Sequence, residues 1–563
     1  MSVLRAEFRD GRLRALLAGA ALVLGAVEAW AARFTMNPDG VSYLDMGDAY
    51  LRGDLGTAIN SWWSPLYSWI LGIFLHVLKP TPSREFQVVH LVNLLIYAAA
   101  LLCFDFFLRA LMEDRRNGPE GNRDAEGTPL PAWAWWVLGY GIFTWTSLQL
   151  ITLRLVSPDL AVSAIVYLAA GILLRQRGRP ARWSAFVRLG LVLGTGYLIK
   201  TVMLPLAFVF LAVAALSSER PRKAIPAALL AAGIVVAMAA PLIVALSLSK
   251  GRVTFGDSAR VDYSVYVNGA DVFFPESPLL KHPVRTIFDR PRTYEFATPV
   301  PGTYPIWYDS SYWHEGLEPR FDLMEQIGAV TRALKLYVLL FVGGLEPLGV
   351  SAGTLLLYGL ASRPRNGMKR LAACWPILLP ALAAFAAYSL IVVDQRFVGA
   401  FVCLVWMAAF PGVRVAPSPG AARAAAGVVI GIGAVLAISM TLSAARHVLE
   451  DGKEGESSWR AAAALHEKGL RPGDPIAVIG PGAFREGAFV ARLARVQVIA
   501  EVRSAESLRG IDPPTRALWI EALQRTGVKA ILLLGRPEGS QSGMSWEPLG
   551  TTDYFLGRVT ATP

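Results

Sequence analysis

The sequence predicts a mainly α-helical protein with about eleven transmembrane helices, interfacial helices in its first outer loop, and a small α/β C-terminal extracytoplasmic domain. The chain of 563 residues is 54% hydrophobic and only 17% charged, which is less charge than a soluble domain carries. Apolar segments of about 17–25 residues recur, and this is the length that crosses a bilayer. Beyond residue 447, short apolar runs alternate with a helical pattern, as in small α/β units.

Eleven apolar segments are the predicted membrane spans. They are approximately 15–33, 86–108, 132–150, 160–175, 185–200, 202–217, 224–246, 337–361, 371–393, 397–413 and 424–443. With this count the arginine-rich connections all fall on the side of the N-terminal tail, and such loops stay in the cytoplasm. We therefore expect an integral plasma (inner) membrane protein with a cytoplasmic N-terminus and an extracytoplasmic C-terminal domain.

The remaining sequence divides into outer loops and a tail. Residues 1–446 form the predicted transmembrane domain, with outer loops at about 34–85 and 247–328, and residues 447–563 form the predicted α/β domain. In the first loop the apolar run 65–78 is short for a span and is predicted to lie in the outer leaflet. Residues 329–336 are a predicted amphipathic lead-in to the eighth span. In the tail we predict strands at 476–480, 496–502 and 529–535 and a helix at 514–526.

Charge and cysteine content exclude several classes of function. The net charge of +11 does not indicate nucleic-acid binding, because the basic residues are spread in short clusters between apolar runs. The three cysteines, Cys103, Cys374 and Cys403, lie in apolar segments without the spacing of a metal site or a disulfide framework. We expect neither a nucleic-acid partner nor cysteine chemistry.

An acidic motif follows the first predicted span. In NPDGVSYLDM, Asp39 stands between Pro38 and Gly40 at the predicted outer boundary of the membrane. It either caps the helix that begins near Val41 or acts as a base on an acceptor there. Tyr43 lies four residues further on, on the same helical face.

Two aromatic clusters lie in the predicted outer loops. SWWSPLYSWILG, which contains Trp63 and Tyr67, forms either an aromatic belt at the headgroup level or the wall of a groove for a lipid-linked substrate. PIWYDSSYWHEG in the second loop contains Trp313, a candidate surface for stacking a sugar or an acceptor. A metal site at Asp309, His314 and Glu315 is the alternative there, without further histidines at ligand spacing.

Further charges lie at the ends of apolar runs. Asp159, preceded by Arg154, begins a predicted helix in SPD, where it complements the helix dipole or takes part in chemistry. Lys200 stands between two apolar runs and either snorkels or binds phosphate. Asp394 and Arg396 share one short outer turn, as a structural ion pair or as a binding site for phosphate oxygens.

These motifs, in this order and spacing, resemble the integral-membrane C-type glycosyltransferase superfamily, which includes protein O-mannosyltransferases and lipid A aminoarabinose transferases. The likeness covers about residues 15–410 and rests on NPDGVSYLD, WWSPLYSWILG, RLVSPDL, YLIKTVMLP and DQRFVGAF. The resemblance implies that Asp39 is the catalytic base and that Lys200 and Arg396 lie near a donor phosphate. It also implies that Asp159 matches the acid found in the second outer loop of family members. Members often have two adjacent acids at the first site, whereas here the second is Gly40.

The resemblance therefore implies an inverting transferase that moves a sugar from a polyprenyl phosphate to an acceptor on the extracytoplasmic face. The implied partners are a lipid-linked sugar donor and a lipid, glycan or protein acceptor. The resemblance fixes no cofactor, and a divalent cation is left open. The alternatives are a polysaccharide polymerase or ligase that acts on lipid-linked glycans, and a transporter, for which inverted repeats would be expected.

Overall fold

The computed structural model describes residues 2–117, 127–271, 280–296, 300–361, 364–536 and 544–559. Helices make up most of this part of the chain. They are α1 Ser2–Ala31, α2 Pro38–Leu51, α3 Leu55–Ala58, α4 Pro65–Leu78, α5 Glu85–Asn117, α6 Ala132–Trp145, α7 Asp159–Gln176, α8 Trp183–Ile199, α9 Met203–Leu216, α10 Pro221–Lys250, α11 Ser258–Asp262, α12 Pro305–Tyr308, α13 Ser310–Trp313, α14 Leu323–Val342, α15 Leu345–Gly359, α16 Pro364–Ala373, α17 Trp375–Ser389, α18 Gln395–Ala409, α19 Pro419–Glu467, α20 Ala488–Ala494 and α21 Pro513–Arg525.

Each of the eleven predicted spans overlaps one or more helices of the described chain. Six of these helices are long and apolar enough to cross a membrane, or seven if the bent pair α14–α15 is one span. The protein is therefore an integral membrane protein with six or seven candidate spans, and the count of eleven crossings stays a prediction. The shorter apolar helices include α4, which is the predicted interfacial helix, together with α8, α9 and α17.

The eighth predicted span is wrong as drawn. Instead of one continuous helix over 337–361, the structure has α14, which includes residues 329–336, and α15, and these two helices meet at an angle of 71°. Two consecutive glycines, Gly343 and Gly344, separate these helices, and Gly344 has φ +110°. This conformation is costly for residues with a Cβ atom, so the chain bends where the sequence has Gly-Gly.

The strands form two sheets among the described residues. The strands are β1 Thr128–Pro129, β2 Arg285–Asp289, β3 Arg292–Glu295, β4 Arg414–Val415, β5 Pro475–Ile479, β6 Gln497–Val502, β7 Ala530–Leu534, β8 Trp546–Pro548 and β9 Tyr554–Arg558. β1 pairs with β4, and the other seven lie in the order β2-β3-β6-β5-β7-β9-β8. The three strands and the helix that were predicted in the tail are confirmed as β5, β6, β7 and α21.

The large sheet also takes strands from outside the tail. β5 pairs in parallel with β6 and β7, and the hairpin β2–β3 from the second outer loop adds antiparallel to β6. On β3, Thr293 is fully buried and its hydroxyl accepts a hydrogen bond of 2.9 Å from the indole of Trp519 in α21. The second outer loop and the tail therefore share one core, and α19 continues without a break across the predicted boundary at residue 446.

Buried ion pairs join this sheet region to the first outer loop. Arg492 in α20 is 2.7 Å from Asp45, from Asp48 and from Glu85. Arg495 also pairs with Glu85. Because Arg492, Asp45 and Glu85 are almost fully buried, these pairs fix the position of α20 against α2 and the start of α5.

The first outer loop is held together by close packing of α2 and α4. A Cβ atom added at Gly47 would lie 2.8 Å from the carbonyl oxygen of Ser68 and 3.3 Å from the Cα atom of Gly72. The two helices can approach this closely only because both crossing positions are glycine. The contact fixes the direction of α2, which carries Asp39 in its first turn.

Candidate functional site

The first turn of α2 holds Asp39 beside two other parts of the chain. The side chain of Asn37 accepts a hydrogen bond from the backbone N–H of Val156 at 2.7 Å, which ties this turn to the segment before α7. Asp39 Oδ2 accepts from both terminal nitrogens of Arg396 at 3.1 Å. Asp39 Oδ1 accepts from the indole nitrogen of Trp307 at 3.2 Å. The carboxylate is mostly buried, and both of its oxygens face N–H donors.

Gly40 allows this close approach. A Cβ atom at position 40 would lie 2.5 Å from the sulfur of Met36 and 2.8 Å from the Cβ atom of Val156. Real Cβ contacts are not that short, so the site has no room for a second carboxylate next to Asp39. The departure from the superfamily pattern therefore has a steric reason in this chain.

The second acid lies at the start of α7. Asp159 is buried, and its Oδ1 accepts a hydrogen bond of 2.6 Å from the ammonium group of Lys200. Its Oδ2 accepts from the hydroxyl of Ser157 at 3.0 Å. Lys200 stands in the break between α8 and α9, and its nitrogen lies 3.6 Å from the ring centroid of Phe397. An anionic partner and a ring face surround the ammonium group, as expected for a lysine in an apolar setting.

Arg396 connects the two acids. Besides its bonds to Asp39, its Nε lies 3.9 Å from Asp159 and 3.6 Å from Asp394. Asp394 caps α18, because its carboxylate accepts a hydrogen bond of 3.1 Å from the backbone N–H of Arg396. Nε of Arg396 is buried and has no hydrogen-bond partner within the described residues. The guanidinium group thus has a donor left for an acceptor atom that enters the site.

Aromatic rings form one side of this cluster. The ring of Tyr43 lies 4.9 Å from that of Trp63 and 5.0 Å from that of Tyr67. Burial raises the pKa of Tyr43 well above its usual value, and the charges of Asp39 and Asp159 add to the rise. The phenol is therefore neutral and lies close to both carboxylates.

The structure thus brings together Asp39, Asp159, Lys200, Asp394 and Arg396, with Tyr43, Trp63 and Tyr67 beside them. Arg154 lies partly buried in the segment that precedes α7, where its backbone N–H donates to the hydroxyl of Thr152 at 3.2 Å. The sequence also makes Arg154 a candidate to join Lys200 and Arg396 at a donor phosphate, and this stays a prediction.

The stacking surface predicted at Trp313 does not fit the structure. Trp313 is only 3% exposed, and its indole nitrogen donates to the carbonyl oxygen of Pro305 at 3.1 Å. Its ring is packed inside the protein, so it has no face for a sugar. The tryptophan of this segment that reaches the site is Trp307, which sequence reasoning missed because the pattern does not show which ring is buried.

A second residue that the sequence analysis missed is Asp262 at the end of α11. Ser258, one helical turn earlier, places its hydroxyl 3.3 Å from that of Thr201, the neighbour of Lys200. Burial raises the pKa of Asp262 to about 7, the charge of Lys200 opposes the rise, and the charge of Asp39 adds to it. Asp262 is therefore a fourth acid at this site, besides Asp39, Asp159 and Asp394.

The alternative of a metal site in the second outer loop does not fit the contacts. Both ring nitrogens of His314 face backbone carbonyls, at 2.8 and 3.0 Å. Asp309 caps α13, and Glu315 pairs with Lys281 at 2.9 Å. Within the described part of the chain, no group of three His, Cys, Asp or Glu side chains is arranged to hold a metal ion. At Asp39 the surrounding N–H donors and the lack of space at Gly40 also do not fit a divalent cation.

Comparisons with known proteins place this geometry in context. No family model and no curated protein matches the sequence. ArnT from Cupriavidus metallidurans in the apo state matches in structure with a TM-score of 0.55 and 12% identity, over 97% of this chain and 98% of that chain. The same protein bound to undecaprenyl phosphate matches with a TM-score of 0.54 and 12% identity over the same shares.

The chain has the C-type membrane glycosyltransferase fold. The resemblance that the sequence motifs indicated is therefore confirmed for the fold. The oligosaccharyltransferase AglB from Archaeoglobus fulgidus shows a weaker likeness, with a TM-score of 0.47 and 12% identity over 94% of this chain and 69% of that chain. In this C-type glycosyltransferase fold, Asp39, Asp159, Lys200 and Arg396 lie together where α2, α7, α9 and α18 begin.

Proposed function

We propose that the protein is an inverting glycosyltransferase that moves a sugar from a polyprenyl-phosphate donor to an acceptor on the extracytoplasmic face of the membrane. The observation that carries the proposal is the meeting of two carboxylates and two cations from four distant parts of the chain. A protein of the same fold has been crystallised with undecaprenyl phosphate, which supports a lipid phosphate as the carrier.

Asp39 is the proposed base. It accepts the proton of the acceptor's nucleophile as that atom attacks the anomeric carbon of the donor sugar. One displacement at this carbon inverts its configuration, and no covalent intermediate is needed. Arg396 and Trp307 orient the carboxylate through three hydrogen bonds.

Lys200 and Arg396 are the proposed phosphate-binding groups. The leaving lipid phosphate gains one negative charge as the glycosidic bond breaks, and fixed cations at that oxygen stabilise it. Lys200 has three N–H donors and gives one to Asp159, while Nε of Arg396 has no hydrogen-bond partner in the described structure. In this scheme Asp159 is a positioning residue that holds Lys200, and no step requires a metal.

The test is transfer from a radiolabelled polyprenyl-phosphate sugar in membranes that contain the full chain, with and without a chelator. We expect Asp39→Asn to lower the rate about a hundred-fold or more, the usual size of a general-base contribution. The matched control is Asp54→Asn, the same change at an exposed helix cap in the same outer loop. Full activity of Asp39→Asn, with an unchanged amount of folded protein, would remove Asp39 from the mechanism.

Product analysis separates this proposal from the alternatives. Transfer of a single sugar with an inverted anomeric centre supports the proposal. A polymer of repeating units would instead indicate a polysaccharide polymerase or ligase. Movement of the intact donor across the membrane, without transfer, would indicate a transporter.

A further inference from the structure

A polar cavity lies at the opposite end of the helical bundle from the Asp39 site. Its volume is about 670 Å³, and it lies between the ends of α5 and α7, the start of α17 and the strand β4. Among the described residues its lining includes the guanidinium groups of Arg115, Arg175, Arg177, Arg179, Arg370 and Arg414. Nothing in the proposed transfer reaction uses these side chains.

The course of two helices shows that this cavity is remote from the carboxylates. α7 begins at Asp159 and carries Arg175 in its last turn, which is about 24 Å further along at the 1.5 Å rise of an α-helix. α18 has Arg396 in its first turn, and Arg414 follows its end. The cavity and the Asp39 site are therefore separate.

Among the described residues that line this cavity, basic side chains outnumber acidic ones. Glu113 and Asp114 are the acids in its described lining, and they pair with Arg175 at 3.7 Å and with Arg177 at 2.8 Å. Arg115 remains beside the guanidinium groups of Arg370 and Arg414, whose charges repel it.

The guanidinium of Arg115 is held in place without full hydrogen bonding. It lies 5.2 Å from the ring centroid of Trp135. One of its terminal nitrogens, Nη2, is buried and has no hydrogen-bond partner within the described residues. Three guanidinium groups held together with a free N–H donor form a site that an anion stabilises.

We propose that this cavity binds a phosphate group. A guanidinium offers paired N–H donors that match phosphate oxygens, and basic pockets between membrane helices bind anionic headgroups. The volume falls within the range of small-ligand sites, about 300–1,000 Å³. The phosphate belongs either to a membrane lipid or to a soluble phosphate ester, and both present the same chemistry to Arg115, Arg370 and Arg414.

The experiment uses the purified full chain and has two arms. In the first, inorganic phosphate is titrated against chloride at equal ionic strength, and the midpoint of thermal unfolding is followed. In the second, the protein is placed in phosphatidylcholine vesicles with and without cardiolipin, and retained radiolabelled cardiolipin is counted after extraction. The test variant is Arg115→Gln combined with Arg414→Gln, and the control is Arg182→Gln combined with Arg188→Gln, two exposed arginines outside the cavity.

We expect the test variant to bind inorganic phosphate, cardiolipin or both at least ten-fold more weakly. The control variant should bind them as the unchanged protein does. A loss in the first arm identifies a site for a soluble phosphate, and a loss confined to the second identifies a lipid headgroup site. The test variant also removes the repulsion between Arg115 and Arg414, so its unfolding midpoint without ligand should stay unchanged or rise. If these arginines had only a structural role, their removal would lower the midpoint. No binding in either arm, or an equal loss in the control, would overturn the proposal.

Should the double variant not fold, Arg370→Gln alone carries the same test. It removes one of the three guanidinium groups that lie together and is expected to weaken binding in the same arm. Unchanged binding in both arms would overturn the proposal in this case as well.

Discussion

Each of the two acids at the proposed active site already has a cation of the protein as its partner. Asp39 accepts from Arg396, and Asp159 accepts from Lys200. Phosphate oxygens of a donor would compete with these carboxylates for the same N–H groups. Binding of the donor is therefore expected to loosen the bond between Arg396 and Asp39, so that the base gains freedom when the donor is present.

A substitution at Gly40 tests whether close packing there sets the position of Asp39. A Cβ atom at this position would lie 2.5 Å from Met36 and 2.8 Å from Val156, so Gly40→Ala should displace the first turn of α2 together with Asp39. We expect a loss of stability of about 1–3 kcal/mol, as for other overpacked sites, and a rate at least ten-fold lower. Thermal unfolding and the transfer assay measure both effects.

Gly56→Ala is the matched control for that prediction. Gly56 lies in the same outer loop, and an added Cβ atom would have only Asp54 within 4 Å, at 3.6 Å. This variant should keep the rate and stability of the unchanged protein. Equal behaviour of the two alanine variants would contradict the steric account of Gly40.

The titration of Asp262 leads us to predict that donor binding depends on pH. Burial raises its pKa to about 7, so the carboxyl group is neutral below that pH and ionised above it. The ionised form adds a negative charge near Lys200, where the donor phosphate is proposed to bind. We expect the KM for the donor to rise several-fold as the pH increases through 7, and Asp262→Asn to keep the low KM on both sides. A parallel rise in the variant would assign the titration to another group.

The residues of the site could be predicted only in part. Asp39, Asp159, Lys200 and Arg396 stand out because charges at the ends of apolar runs are costly unless they have a function or a partner. The pairing of Asp39 with Trp307 joins positions 268 residues apart, and a single sequence carries no signal for such a contact. The prediction of Trp313 failed and Trp307 was missed, because burial depends on the fold of the whole loop.

At the scale of elements, α20 acts as the point where the sheet region meets the outer loop. Arg492→Met would leave the buried carboxylates of Asp45 and Glu85 without this partner. Breaking a buried pair from one side typically costs about 3–5 kcal/mol. We expect a lower unfolding midpoint and faster proteolysis of the tail, while Arg485→Met, an exposed arginine just before α20, should change neither. Unaltered proteolysis of Arg492→Met would show that other contacts hold α20.

Elements with a strong local pattern could be predicted well. Long apolar runs gave the helices, and short apolar runs gave β5, β6 and β7. The bend between α14 and α15 depends on one Gly-Gly pair inside an apolar segment, which hydropathy alone does not resolve. The hairpin β2–β3 was missed because its strands have few apolar residues and are stabilised by pairing with β6.

At the scale of the whole molecule, the sheet is assembled from two distant parts of the chain. Residues 447–563 alone would lack β2 and β3, and they would expose the edge of β6 and the side of Trp519 that Thr293 covers. We expect this fragment to show no cooperative unfolding transition. A chain in which residues 280–296 are joined to it through a Gly/Ser linker should regain one. A sharp transition of residues 447–563 alone would support an independent domain.

The overall architecture could be predicted from composition and from the order of the motifs, because membrane helices and α/β units have distinct patterns. The relation between the two parts could not, because it depends on long-range contacts such as that of Phe484 with Trp307, whose ring centroids are 5.0 Å apart. Through this contact the tail supports the tryptophan that binds Asp39.

The unbroken helix α19 joins the apolar part of the chain to the sheet region. Its 49 residues extend about 74 Å, whereas the hydrocarbon layer is about 30 Å thick. Because α19 is continuous, the sheet region is attached to the apolar part of the chain by a rigid helix without a hinge. In the proposed reaction, access for an acceptor is therefore not expected to depend on a swing of the sheet region about α19.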